Sequence, residues 1–114
     1  MTRDCFLPAS SLPRLVTALV AAGTRVYGPT TVGGRSEYRR VSDAGQIDLR
    51  APMPALPLKA LFLPPSEPLF TWRKDHDDVA LESVPTSFAP AVVLGARPCD
   101  AAAVEVLDRV MGWN

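Results

Sequence analysis

The residues best placed to do chemistry are Arg97, Pro98, Cys99 and Asp100. Cys99 stands at or just before a predicted helix start, beside Arg97. Both the helix N-terminus and the guanidinium present positive charge to the sulfur, so both favour the thiolate. That suits a metal-ligating, cluster-adjacent or redox-active thiol. Asp100 can cap the helix, and its charge opposes the thiolate. The same loop also reads as structural: Cys99 a small buried side chain in a strand-to-helix turn, Asp100 the cap, Arg97 paired to a carboxylate.

Other reactive groups carry less. His76 lies in Asp75-His76-Asp77-Asp78. Three carboxylates and an imidazole can bind a divalent cation, yet this run reads as a solvated hairpin tip with no further ligand spacing. Cys5 reads as structural or incidental. It could bridge to Cys99 only with the two Cα atoms within about 7 Å. No CxxC supports thiol–disulfide exchange. Gly28, Gly33 and Gly34 form neither a Gly-Lys-Ser/Thr loop nor a GxGxxG fingerprint. One histidine on a charged tip is a poor general base, so no Ser–His–Asp set can be argued. Spacing therefore assigns no catalytic residue and no metal site.

Composition narrows the field. The 114 residues carry 12 basic and 12 acidic side chains, leaving no net field to attract nucleic acid or an anionic membrane. Two cysteines are too few for a disulfide scaffold or for the four thiolates of a [4Fe-4S] cluster. A 47% hydrophobic content suits one globular domain, and 12 prolines predict short elements with stiff connections. The longest apolar run, 89–96, is interrupted by Pro90 and Gly95 and falls short of the roughly 20 residues of a membrane span. The N-terminus lacks secretory features. The expectation is a cytoplasmic protein with reduced thiols.

The elements that must position the loop are readable in part. Leu12, Leu15, Val16, Leu19 and Val20 form one helical face, with Ser10 or Ser11 as N-cap, Pro13 in the first turn and Gly23 as the stop. Residues 24–31 and 36–41 read as strands around a Gly33-Gly34 hairpin turn, the first interrupted at Gly28-Pro29. Residues 46–50 read as a short third strand. The proline-dense stretch from Pro52 to Pro68 reads as an extended segment packed on the core. Residues 69–72 and 79–84 read as strands flanking a charged tip at 73–78. Residues 91–94 read as a buried strand, followed by a helix from near Asp100 with Val104, Leu107, Val110 and Met111 on one face. Trp72, Trp113 and the phenylalanines read as core or interface residues. The fold class expected is α/β or α+β: an N-terminal helix, a mixed sheet of five or six strands with proline-rich connections, and a C-terminal βα unit. Such a unit normally continues to another strand, so the chain reads as the first part of something longer.

Three ordered motifs carry a resemblance. Gly95-Ala96-Arg97-Pro98-Cys99-Asp100, continued by Ala103 and Leu107-Asp108, resembles the G-x-R-P-C-D-x-x-A-x-x-x-L-D segment of the iron–sulfur beta subunits of cytoplasmic sulfhydrogenases. That family includes the 4Fe-4S dicluster component of anaerobic sulfite reductase and related proteins. Val26-Tyr27-Gly28-Pro29 is similar to its V-x-G-P strand. The stretch from Lys59 through Phe62-Leu63-Pro64-Pro65, Glu67 and Leu69-Phe70 is similar to its K-x-x-F-L-P-P-x-E-x-L-F stretch. The resemblance implies that residues 1–114 are a single N-terminal domain of an iron–sulfur polypeptide roughly three times longer. Its later part would carry two [4Fe-4S] clusters; none is implied in this chain alone. The implied role is electron transfer linking a flavin/NAD(P)H subunit to a catalytic subunit, not catalysis by this chain itself. Arg97, Cys99 and Asp100 would then be cluster-adjacent. A reduced cluster is more negative than an oxidised one, so such a loop would raise its potential. Two other readings stand beside this one: a docking or assembly module with no redox role, and a small thiol enzyme using Cys99.

Overall fold

The computed structural model describes residues 4–63, 65–85 and 89–112. Helix α1 spans Leu12–Ala21, and Val16 on its apolar face is fully buried. Gly23 ends it at φ 78°, a left-handed conformation that only glycine adopts freely. Ser11 occupies the N-cap position without capping through its side chain. Its backbone is already helical, whereas a side-chain cap needs an extended residue.

Strand β1 (Arg25–Val32) runs straight through Gly28-Pro29, against the expected interruption. The reason lies in register. Tyr27 and Pro29 turn their carbonyls away from the neighbouring strand β2 (Arg35–Val41), accepting from Leu94 N and Asp48 N at 2.9 and 2.8 Å. The missing proline N–H therefore falls on the side that β2 does not use. The two strands pair antiparallel from Val26↔Val41 to Val32↔Arg35. Gly33 and Gly34, at φ 57° and 77°, make the predicted turn between them.

Residues 46–50 do not form a strand. Asp43 accepts from Gly45 N, and Gln46 Oε1 accepts from Asp43 N, so a 3-10 turn at Ala44–Gln46 is capped at both points. Ile47 then packs against Gly28, where an added Cβ would lie 3.0 Å from Ile47 Cγ1. Among its described residues the proline-dense segment is irregular except for a 3-10 turn at Leu58–Leu61, whose Leu58 is buried.

Strands β3 (Phe70–Asp75) and β4 (Asp78–Ser83) form a separate antiparallel hairpin. The ladder reaches Asp75↔Asp78, so the tip is shorter than expected and consists of His76 and Asp77. Every residue of both strands is exposed, Trp72 by 65% and Phe70 by 59%. Trp72, Phe70, Phe62 and Phe6 are thus not core residues. Trp113 and Phe88 lie outside the described residues.

Strand β5 (Ala91–Val93) pairs parallel to β1, giving a three-stranded mixed sheet in the order β2-β1-β5. The single sheet of five or six strands is therefore replaced by two small sheets. β5 is only half-buried because, among the described residues, no strand pairs with its outer edge. Helix α2 (Pro98–Met111) starts two residues before Asp100, with Pro98 in its first turn. Among the described residues two helices, a small mixed sheet and an antiparallel hairpin make the fold α+β.

Paired residues share a sheet face. Val26 and Val41 therefore point to one side, with Val16 and Ile47. Tyr27 and Tyr38 point to the other, with the Leu58–Leu61 turn and α2. Among the described residues the buried apolar side chains are Val16, Val26, Tyr38, Val41 and Leu58.

Gly95 fixes the exit from β5. Its φ is 76°, and an added Cβ would sit 2.8 Å from Leu49 Cδ2 and 3.3 Å from Pro29 Cδ. Leu49 can swing aside, but the backbone strain stays. Gly95→Ala is expected to lower stability by about 1–2 kcal/mol, read from the urea unfolding midpoint.

Candidate functional site

Tyr38 is the hub of the candidate loop. Its hydroxyl donates to Asp100 Oδ2 at 2.8 Å and accepts from Arg97 N at 3.2 Å. Leu58 N donates to Asp100 Oδ1 at 3.2 Å. Arg97 Nη2 donates to the Ala51 carbonyl at 3.3 Å. Four segments meet here: β2, the proline-dense segment, the turn after β5 and the first turn of α2.

This geometry revises the roles read from sequence. Asp100 is not the N-cap; Arg97 occupies that position and caps nothing through its side chain. Both carboxylate oxygens of Asp100 are taken by Tyr38 and Leu58. Its charge still sits favourably in the first turn of α2. Arg97 bonds a backbone carbonyl, not a carboxylate. Cys99 is exposed rather than buried in the turn. The loop holds Arg97 and Asp100 inward and leaves Cys99 at the surface.

Beside the hub lies a cleft of about 250 Å3, lined by Pro29, Tyr38, Asp48, Leu49, Pro52 and Arg97 among others. Its acidic group is already engaged: Asp48 accepts from Thr31 Oγ1 at 2.9 Å and from Arg50 N at 3.0 Å.

The remaining candidates do not converge on it. His76 Nδ1 lies 3.1 Å from Asp75 Oδ1 on the exposed hairpin tip. Cys5 is exposed. Among the described residues no group of three or more His, Cys, Asp or Glu side chains is close enough to hold a metal ion. Two exposed thiols do not fit a [4Fe-4S] cluster, and this chain's own residues supply no ligand set for one. Among the described residues no helix is long and apolar enough to cross a membrane.

By sequence Tyr38 reads only as an apolar strand residue. One signal bears on it: Asp100 needs donors, and the chain has only two tyrosines, Tyr27 and Tyr38. No family model, curated protein or solved structure matches this chain.

Burial raises the Tyr38 pKa above its ordinary value of 10.0; the Arg97 backbone bond opposes this, and the bond to Asp100 adds to it. The neutral phenol is thus favoured in the folded state. The stabilisation is complete below pH 10 and is lost as pH rises through the folded-state value. Tyr38→Phe leaves Arg97 N unpaired and Asp100 short of a donor, and is expected to lower stability by about 1–2 kcal/mol at neutral pH. Urea midpoints measured from neutral to alkaline pH should fall less steeply above pH 10 in this variant than in the parent.

Proposed function

We propose that this chain is the N-terminal domain of an iron–sulfur electron-transfer subunit of a cytoplasmic hydrogenase- or sulfite-reductase-like oxidoreductase. It acts as a packing module, not as a catalytic chain. The observation that carries this reading is surface area. The chain exposes 9482 Å2, where a compact monomer of this mass exposes about 6,100 Å2. Its radius of gyration is 17.9 Å, against about 13 Å for a compact domain of this length. The excess of about 3,400 Å2 on this chain is more than the roughly 1,000–2,500 Å2 that each partner contributes to an obligate interface.

The apolar part of that surface includes a groove of about 300 Å3 between α2 and the Leu58–Leu61 turn, lined by Phe62, Leu63, Val104, Leu107, Asp108 and Met111. Val106 and Val110, both more than half exposed, add apolar surface on other faces of α2. A groove of this kind suits a cluster-binding domain and the partner chains of a redox complex, one carrying flavin/NAD(P)H and one catalytic. The three ordered motifs supply the redox part of the reading. In it, Arg97, Cys99 and Asp100 form a loop adjacent to a cluster whose ligands come from other sequence. The second reading, a docking module without a redox role, is favoured by one observation: Arg97 and Asp100 are already committed to structural bonds.

The test is anaerobic purification of the tagged chain from its native source, followed by iron and acid-labile sulfide analysis and electron paramagnetic resonance. Two [4Fe-4S] clusters are expected in the purified material, carried by further sequence of the same polypeptide or by one that co-purifies. A stable complex without iron would leave the docking module, and an iron-free chain that stays alone would sink both readings.

A further inference from the structure

Charge is segregated in this neutral chain. The β1–β2 ribbon carries Arg35 and Arg39 on one face, with Glu37 pairing Arg39 at 3.0 Å, and Arg25 and Arg40 on the other, Arg25 donating to the Ala89 carbonyl; the β3–β4 hairpin carries Asp75, Asp77, Asp78 and Glu82 against Arg73 and Lys74. Arg73 lies 3.9 Å from Glu82, so the hairpin's unbalanced carboxylates collect at its tip.

The hairpin is also amphipathic. Its register puts Phe70, Trp72 and Lys74 on one face with Ser83, Leu81 and Val79. The four apolar members are 59–69% exposed. A lone two-stranded hairpin is marginal in water, and a third layer on its apolar face would stabilise it. The receiving surface is on the same chain. β5 pairs only with Arg25–Tyr27, so the β1–β2 ribbon continues past the sheet as an exposed tip bearing Val32 and Arg35.

Area selects the arrangement. The hairpin face offers on the order of 500 Å2, and a stable dimer buries about 800 Å2 per partner. One hairpin on one ribbon falls short. Two reciprocal contacts give roughly 1,000 Å2 per partner and close the assembly with two-fold symmetry. The chain measures 60 × 35 × 31 Å, and six-residue strands reach about 20 Å, as an exchanged arm requires.

We propose that two copies of this chain form a dimer by reciprocal arm exchange, each seating the Phe70, Trp72, Val79 and Leu81 face and acidic tip of its β3–β4 hairpin on the arginine-bearing β1–β2 ribbon of the other. The inference is independent of the redox reading.

Sedimentation equilibrium of the full chain over a micromolar range should give twice 12.3 kDa, with association weakening as salt rises. Trp72→Ser should give a monomer. Asp77→Arg/Asp78→Arg and Arg35→Glu/Arg39→Glu should each weaken self-association by about tenfold or more, with far-ultraviolet circular dichroism unchanged. Mixing these two charge-reversed chains should restore a tight dimer, because each arm then meets a ribbon of opposite sign. A monomeric parent chain, a dimer indifferent to these substitutions, or a mixture that associates no better than its components would overturn the proposal.

Discussion

The hydroxyl of Tyr38 is the point on which the rest of the chain depends. It joins β2 to the first turn of α2 through Asp100 and to the preceding loop through Arg97 N. Asp100 then reaches the proline-dense segment through Leu58 N. These bonds add to the Ala55 N–Ser36 carbonyl bond at 2.8 Å and the burial of Leu58 in holding a segment whose prolines supply no amide donors. The same bonds decide what the Arg97–Asp100 loop offers chemically. They use the carboxylate internally, the guanidinium turns to the Ala51 carbonyl, and the thiol is left outside.

Local signals are legible where local physics decides the outcome. The α1 period, the Gly23 stop and the Gly33-Gly34 turn all rest on residues within a few positions of one another. The βα order around Gly95 also reads directly. What fails to read depends on register. Whether Pro29 breaks a strand turns on which side of β1 its nitrogen faces, and that is fixed only by pairing with β2 and β5. Residues 46–50 have the look of a strand, but the side chains of Asp43 and Gln46 cap a turn at Ala44–Gln46 that leads into them. The hairpin ladder runs to Asp75 and Asp78 because polar residues suffice where neither face is covered.

The candidate loop shows the same division. Its place between a strand and a helix is legible, and so are the residue types. Its bonding is not, because Tyr38 lies 62 residues from Asp100, and Leu58 lies 42. Cys99 reads as a buried small side chain, as cysteine usually is; its exposure follows from α2 starting at Pro98, which turns the second helical residue outward.

The parallel pairing of β5 with β1 bears on the order in which the chain folds. Both hairpins close through short turns, so their pairing spans little chain. Arg25 and its partner at Ala89 are 64 residues apart. Closing a loop of that length costs about 3–4 kcal/mol of chain entropy before any contact compensates. The β1–β2 ribbon therefore stands ready as a template, and β5 with α2 arrives late, drawn in by Tyr38 and a few apolar contacts. The part of the molecule that bears the Arg-Pro-Cys-Asp loop is then also the part whose contacts span the longest stretches of chain.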